Sequence, residues 1–226
     1  IANGQIWTLA FMEAQGSYAP SGIKAVAEKK GDQYFLNGTK LFVPYAGVAE
    51  NFLVVARTAD YDKDAESFNV FVVDAGVPGI KISRIPTAAP DHRCEVCFEN
   101  VKLTAADILG EEGRGWEVVD FIMQNATVLK CAEMSGGAQA VLEMTRRYAR
   151  DRIQFGKPIG SFQAIQHKLA NTFIWVEGLK NLVYEAAWHV NEGKVCNARV
   201  SMAKVKANTV YQQTCIDGIT IDRKST

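Results

Sequence analysis

The sequence predicts an α+β protein, an antiparallel β-barrel or sandwich followed by an α-helical bundle. From Gly22 to about Leu103 it is a succession of short apolar or alternating runs broken by turn residues, with no helix-length segment among them. From Trp116 onward, apolar residues recur at helical spacing for most of the remaining chain. The change of character falls at Gly110-Glu111-Glu112-Gly113-Arg114-Gly115-Trp116 and separates residues 1–112 from residues 113–226.

In the first part, Ile23 to Lys29, Gln33 to Leu36, Lys40 to Val43, Phe52 to Arg57, Phe68 to Asp74, Ile80 to Ile85 and Glu95 to Phe98 each have strand length and strand composition. Lys30-Gly31-Asp32, Asn37-Gly38, Ala59 to Glu66 and Gly76-Val77-Pro78-Gly79 place Gly and Asp where turns need them. In the second part, one helix is expected from about Trp116 to Arg150. Its apolar stripe is Val119, Ile122, Ala126, Leu129 and Ala132, continued by Ala138, Val141, Leu142 and Tyr148. Gly136-Gly137 inside it costs about 1 kcal/mol per Gly against Ala, which points to a neighbouring backbone in close approach. A second helix is expected from about Phe162 to Asn191, broken by Asn191-Glu192-Gly193, and a third from about Asn197 to Asp217. Three helices of this length rarely bury all their sides. The chain stops at Asp222-Arg223-Lys224-Ser225-Thr226 without a closing element, so it reads as part of a longer protein.

The 226 residues carry 25 Lys plus Arg and 25 Asp plus Glu, a net charge of zero that offers no field to gather phosphate backbones, so nucleic acid is not an expected partner. Hydrophobic residues at 48% and charged residues at 22% are typical of a globular protein and exclude extended disorder. No apolar run approaches the roughly 18 to 20 residues that span a bilayer. The start, Ile1-Ala2-Asn3-Gly4-Gln5, has neither the basic nor the apolar region of a signal peptide, so a soluble intracellular protein with no membrane insertion is expected. Cys94, Cys97, Cys131, Cys196 and Cys215 form an odd, scattered set, which fits a reducing compartment better than a disulfide scaffold. Cys94-Glu95-Val96-Cys97 has no second pair, and His92, His167 and His189 are too dispersed to complete a zinc set, so no metal site is expected.

The most specific segment is Arg152-Ile153-Gln154-Phe155-Gly156-Lys157-Pro158-Ile159-Gly160-Ser161-Phe162-Gln163, where one long helix ends and the next begins. A structural turn explains Gly156 and Pro158 but not the rest. Arg152 is a fixed fork of donors suited to a pyrophosphate, Phe155 offers an apolar face to an adenine ring, and Gln163 sits beside a positive helix end. Together they describe the tail of a dinucleotide cofactor.

This segment resembles the Arg-x-x-Phe-Gly-x-Pro-Ile-x-x-Phe-Gln stretch of the acyl-CoA dehydrogenases, flavoproteins in which it touches the FAD of a neighbouring subunit. The resemblance extends along essentially the whole chain. Glu13 through Lys30 is similar to the entry into the family's middle β domain, and Tyr34-Phe35-Leu36-Asn37-Gly38-Thr39-Lys40 to its Tyr-x-Leu-Asn-Gly-x-Lys hairpin. Phe98-Glu99-Asn100-Val101 and Ile108 through Trp116 are similar to its strand-to-helix passage. It implies helices, a β domain and more helices, with the amino-terminal helical domain and the last helices absent from this chain.

The resemblance implies FAD as cofactor, an acyl-CoA thioester oxidised to the 2,3-enoyl-CoA, an electron-transfer flavoprotein as acceptor, and a homodimer or homotetramer in the cytoplasm or the mitochondrial matrix. Phe11 and Met12, within the loop from Leu9 to Tyr18, and Phe42 to Pro44 match flavin-contacting segments. Arg152, Gln154, Phe155, Phe162 and Gln163 match the contacts to the FAD tail. Tyr18 matches a position at the thioester end, and Gln124, Asn125 and Thr127 match the stretch near the acyl-CoA. Pro44 replaces a Thr whose hydroxyl bonds the flavin, and Pro has neither hydroxyl nor N–H. The usual Thr or Ser is absent at Met12, Phe42 replaces a common Trp, and Tyr18 replaces a common Ser. The base that removes the α proton is a Glu expected beyond Thr226. At the alternative position stands Ala126, which is no base, and Thr127 replaces a common Arg. Glu133 is expected to be structural. Asp217-Gly218-Ile219-Thr220-Ile221 resembles the start of a late Gln-x-x-Gly-Gly segment and then departs from it. These departures leave two further readings: a non-catalytic subunit of a hetero-oligomer, or other flavin chemistry on the same fold, as oxidase, lyase or monooxygenase.

Overall fold

The computed structural model describes residues 4–58, 68–88, 91–193 and 197–222. The expected loop Ala59 to Glu66, Cys196 and the segment Arg223 to Thr226 lie outside the described residues. The chain forms two compact units, Ile1–Phe121 and Ile122–Thr226.

The first unit is built on a seven-stranded sheet of β1 (Trp7–Ala10), β2 (Val26–Lys30), β3 (Gln33–Pro44), β4 (Asn51–Arg57), β5 (Phe68–Asp74), β6 (Ile80–Ile85) and β7 (Arg93–Thr104). Its order is β1-β4-β2-β3-β7-β6, with β5 also paired to β4. The ladders β2–β3, β3–β7, β4–β5 and β6–β7 are antiparallel, as the sequence predicts. Two pairings differ: β1 runs parallel to β4, and Val26 of β2 meets Arg57 of β4 in parallel. The strand responsible, Trp7–Ala10, is four residues long. That is too short for a period of two to stand out, and the sequence reading places Leu9 and Ala10 in a loop. Tyr34, Leu36, Phe52, Val54, Phe71, Val73, Val96 and Phe98 join in one buried cluster. Phe68 to Phe71 are all buried, Asn69 included, its amide donating to the Thr58 hydroxyl at 3.0 Å and accepting from Gly113 N at 2.7 Å, so β5 shows no alternation of apolar and exposed positions there.

The expected turn at Asn37-Gly38 is not a turn. β3 runs unbroken for 12 residues, with register shifts at Leu36/Gly38 and Lys40/Val43. The reversal between β2 and β3 is made by Gly31, at φ 62°, and Asp32. Gly38 serves close approach instead. With φ 149°, a Cβ built on it would lie 2.6 Å from the Cβ of Ala25. Asn37 spans the register break, its Oδ1 accepting from Asn100 N at 2.9 Å and its Nδ2 donating to Asn100 Oδ1 at 3.3 Å. Cys94 and Cys97 lie on β7, Cys94 buried and Cys97 half-buried.

Glu112 braces β2 and β3 from the loop that follows β7. Its carboxylate accepts from Lys29 Nζ at 2.7 Å and from the hydroxyl of buried Tyr34. These two hydrogen bonds hold the Glu112 carboxyl below the usual carboxylate range, Lys29 foremost. Glu117 and Glu111 both pair with Arg114 where the first helix begins, at 2.7 and 3.0 Å.

The second unit consists of α1 (Gly115–Asp151), most of which lies in it, α2 (Gln163–Asn191) and α3 (Asn197–Asp222). The apolar stripe expected on α1 holds at Val119, Ala138 and Leu142, which are buried, and is displaced over residues 126–132. Leu129 is 70% exposed and Ala126 and Ala132 are also exposed, whereas Val128, Cys131, Ala138, Leu142, Thr145 and Ala149 are buried. The buried set keeps steps of three and four, with the half-buried Ser135 filling its one step of seven, so the period is right throughout and the phase is wrong only over residues 126–132. Small and polar residues such as Cys131 and Thr145 occupy the packed face, and an apolarity count assigns them to the wrong side. Gly137 admits a side chain rather than a backbone: a Cβ there would lie 2.9 Å from the Tyr211 ring. A Cβ at Gly136 would meet nothing. α2 ends at Asn191 as expected, with Gly193 at φ 63°. α3 continues five residues past the expected end, because buried Asp217 accepts from Lys168 at 3.1 Å and from Gln213 at 3.1 Å while Gly218 and Ile221 pack inward. No helix among the described residues is long and apolar enough to cross a membrane.

Replacing Gly38 by Ala forces a methyl into that 2.6 Å approach and is expected to destabilise the protein by about 1–3 kcal/mol, read as a lower urea midpoint at unchanged slope. An unchanged midpoint would mean that Gly38 does not make the approach. Because the folded Glu112 carboxyl is held down, its contribution is present above its ordinary value of 4.5 and is lost as the pH falls through the lower folded value. Glu112→Gln should therefore flatten the acid side of the stability profile below about pH 4.5, leave its shape near neutrality unchanged, and alter the alkaline limb, where Lys29, and Tyr34 beyond the effect of its burial, lose the partner that holds both groups up.

Candidate functional site

In the β unit, the loop after β1 is fixed to the middle of β3 by a buried ion pair. Lys40 Nζ lies 2.7 Å from Glu13 Oε1, with the lysine side chain fully buried and the carboxylate nearly so. Lys40 also donates to Phe11 O at 3.2 Å. Glu13 accepts from the backbone N–H groups of Lys24 at 2.8 Å and Ala25 at 3.1 Å. Burial pulls the Lys40 ammonium below its ordinary range, and the charge and hydrogen bond of Glu13 oppose that pull. The loop is thereby laid along β3, where Leu41 N donates to Met12 O at 2.8 Å.

This clamp brings Phe11, Met12, Phe42 and Pro44 together. Phe11 is buried, stacked on Tyr18 at 6.0 Å between centroids and tilted against Trp116 at 6.2 Å. Phe42 falls in the second register shift of β3 with φ 54° and is 49% exposed. Pro44 O accepts from the Thr8 hydroxyl at 2.7 Å, and Arg93 donates to Phe42 O at 3.3 Å. The sequence reading missed Tyr45, which has φ 53°, is 52% exposed, and leans on His92 at 5.9 Å. A bulky aromatic beside Pro44, where a turn favours Gly or Asn, was the available signal. Each left-handed side chain costs roughly 1–2 kcal/mol.

In the helical unit, Arg152 to Gln163 form a small hairpin and the start of α2. The two-residue strands β8 (Ile153–Gln154) and β9 (Lys157–Pro158) pair antiparallel, and Phe155 and Gly156 at the turn have φ 53° and 77°. Phe155 is 92% exposed, with Phe162 edge-on at 6.2 Å and Lys157 Nζ 4.4 Å from the Phe162 centroid. Arg152, Gln154 and Gln163 are exposed, Gln163 as the first residue of α2. Its N-terminus receives no side-chain cap from Phe162, which leaves backbone N–H groups to face outward. Gln124, Asn125, Ala126 and Thr127 are consecutive on α1, so they radiate to different sides, with Ala126 exposed and the other three half-buried. Glu133 pairs with Lys130 at 2.8 Å on the surface, an ordinary i,i+3 ion pair.

Residues 8–101 match the acyl-CoA dehydrogenase middle domain and residues 113–221 the acyl-CoA dehydrogenase C-terminal domain, and the chain belongs to the acyl-CoA dehydrogenase family. It is 33% identical over 205 residues to the short-chain specific acyl-CoA dehydrogenase of Megasphaera elsdenii, a match covering 89% of this chain and 53% of that protein. It superposes on the butyryl-CoA dehydrogenase structure from the same organism with a TM-score of 0.89 at 30% identity, over 96% of this chain and 57% of that one. It superposes equally, at 0.89 and 26% identity, on a structure described as PigA with FAD and proline, over 98% of this chain and 58% of that one. The chain thus spans little more than half the length of these relatives.

Removing one member of the buried pair leaves the other charge unpaired, so Lys40→Met is expected to cost about 3–5 kcal/mol in chemical denaturation. The double variant Glu13→Gln, Lys40→Met should recover a large part of that loss. Equal and additive losses would show that the two groups are not coupled.

Proposed function

We propose that the protein is part of an FAD-dependent acyl-CoA dehydrogenase that removes hydrogen from the α and β carbons of an acyl-CoA thioester and passes the electrons to an electron-transfer flavoprotein. The observation that carries the reading is the clamped junction of Met12 with Leu41, which sets the Phe11–Met12 loop beside the exposed ring of Phe42. That apolar and aromatic edge fits the flank of a planar tricyclic ring. The solvent-facing ring of Phe155, beside exposed Arg152 and the uncapped start of α2, fits an adenine and pyrophosphate tail. On this reading residues 1–112 form the flavin and thioester side, and residues 113–226 the side of the FAD tail and of the oligomer.

When bound, FAD accepts the hydride that leaves the β carbon. The roles of the chain are to position and to exclude water. Phe11, Met12, Phe42 and Pro44 would flank the ring, and Arg152, Gln154, Phe155, Phe162 and Gln163 would hold the tail across a subunit interface of a dimer or tetramer. Tyr18, Gln124, Asn125 and Thr127 would line the thioester. A Glu outside this chain would take the α proton, since Ala126 has no titratable group.

Pro44 favours a second reading, a family subunit without catalysis. Its ring carries no donor, and its carbonyl is engaged by Thr8. The visible absorption spectrum of the purified protein, recorded anaerobically with a panel of acyl-CoA thioesters, separates the two. An oxidised-flavin band bleached by one thioester is expected. A colourless protein that gains no band with FAD would overturn the enzyme, and a yellow protein that no thioester bleaches would turn the reading to other flavin chemistry.

A further inference from the structure

We propose that Tyr45 is a ligand-contacting residue, and that its phenol hydroxyl is the fixed hydrogen-bond donor to a planar heteroaromatic ring seated on the edge formed by Phe42, Pro44 and Tyr45. The inference rests on the reading above, in which that ring is the flavin of FAD.

The backbone gives the first reason. Phe42 and Tyr45, three residues apart, both adopt left-handed conformations, at φ 54° and 53°. Either position would be occupied without strain by Gly or Asn, and neither aromatic is needed for packing, since each is about half exposed, at 49% and 52%. Strained residues held this way concentrate at ligand clamps.

Rigidity gives the second. Tyr45 N donates to His92 O at 2.7 Å, and Tyr45 O accepts from Val48 N and Ala49 N, both at 3.1 Å. On the other side, Leu41 N is bonded to Met12 O at 2.8 Å and Pro44 O to the Thr8 hydroxyl at 2.7 Å. The left-handed turn is over-determined by these bonds, and His92 supports one flank of the tyrosine ring at 5.9 Å. A donor on such a base is already oriented before any ligand arrives.

The third reason is which donors remain. Pro44 has none. The Thr8 hydroxyl is committed to Pro44 O, and the Arg93 guanidinium, which keeps three further N–H groups, is held on Asp91 at 2.6 Å and on Phe42 O at 3.3 Å. The Tyr45 hydroxyl makes no hydrogen bond among the described residues. It stands one residue past the proline, on a half-exposed ring supported by His92, able to donate to a ring nitrogen or carbonyl.

The test is the titration of flavin-free apoprotein with FAD, followed by flavin fluorescence and the shape of the bound visible band, for wild type, Tyr45→Phe and Tyr45→Asn. Tyr45→Phe keeps the ring and the strain and removes only the hydroxyl. It should weaken FAD binding about 3- to 10-fold and alter the bound-flavin band, with the apoprotein Tm unchanged. Tyr45→Asn relieves the left-handed strain and removes the ring. It should raise the apoprotein Tm by roughly 2–4 °C while weakening FAD binding more than Tyr45→Phe does. A Tyr45→Phe protein that binds FAD as wild type does, with an identical band, overturns the role of the hydroxyl. A Tyr45→Asn protein that is both stabilised and fully competent for FAD overturns Tyr45 as a contact altogether. A wild-type apoprotein that takes up no FAD fails the functional reading itself and the inference with it, a result distinct from either of the others.

Discussion

A lysine and a carboxylate buried together, Lys40 and Glu13, set what the rest of the β unit can do. Taking two charges out of water is costly, and the arrangement is tolerated because their bonding capacity is used: Lys40 donates to Glu13 and Phe11 O, and Glu13 also accepts two backbone N–H groups from Lys24 and Ala25. Hydrophobic residues of similar volume would hold the core at least as well. What the pair adds is register. It joins three stretches of chain, the loop after β1, the entry to β2 and the middle of β3, at one point that admits no slip. The bond from Leu41 N to Met12 O, the register shift that follows and the exposed Phe42 ring all descend from that point.

The same physical device appears in both units. Among the described residues, the non-glycine residues with positive φ are Phe42, Tyr45, Asn100 and Phe155. Asn100 is a residue type that tolerates the conformation, and its side chain bonds Asn37. The other three are aromatics with about half or more of their surface exposed, which is the reverse of what folding stability selects. An aromatic ring displayed to solvent on a strained backbone offers a preformed apolar face, and its cost is borne by the hydrogen bonds around it. In the β unit those bonds come from Met12, Thr8 and His92. In the hairpin before α2 they come from the β8–β9 ladder and from Ile159 N to Arg152 O at 2.8 Å.

The elements legible in the sequence are those whose pattern is local. β4 and β5 are found because their apolar runs have the right length, and α2 because its break at Asn191-Glu192-Gly193 is chemically explicit. Where the sequence misleads, the cause is a partner far along the chain. Asn37-Gly38 has turn chemistry, but Gly38 is there to let Ala25 approach. The face of α1 is displaced over residues 126–132 because Cys131 packs inward while Leu129 does not, a choice made by α2 and α3. Of the candidate site, the Arg152 to Gln163 segment is read whole, since its residues are contiguous. Phe11, Met12, Phe42 and Pro44 are named through family resemblance alone, and the pair that joins them, 27 residues apart, carries no local signature. Tyr45 was missed because its oddity is conformational, and the one trace of it in the sequence is a bulky aromatic beside Pro44 where a turn favours Gly or Asn.

Amide hydrogen exchange at Leu41 tests the central claim most directly. If the Lys40–Glu13 pair locks the loop onto β3, the Leu41 N–H that donates to Met12 O should exchange only with global unfolding, as slowly as the amides at the centre of β4. Exchange of Leu41 at the rate of an exposed loop, while β4 stays protected, would show that the junction opens on its own and that the buried pair does not hold it.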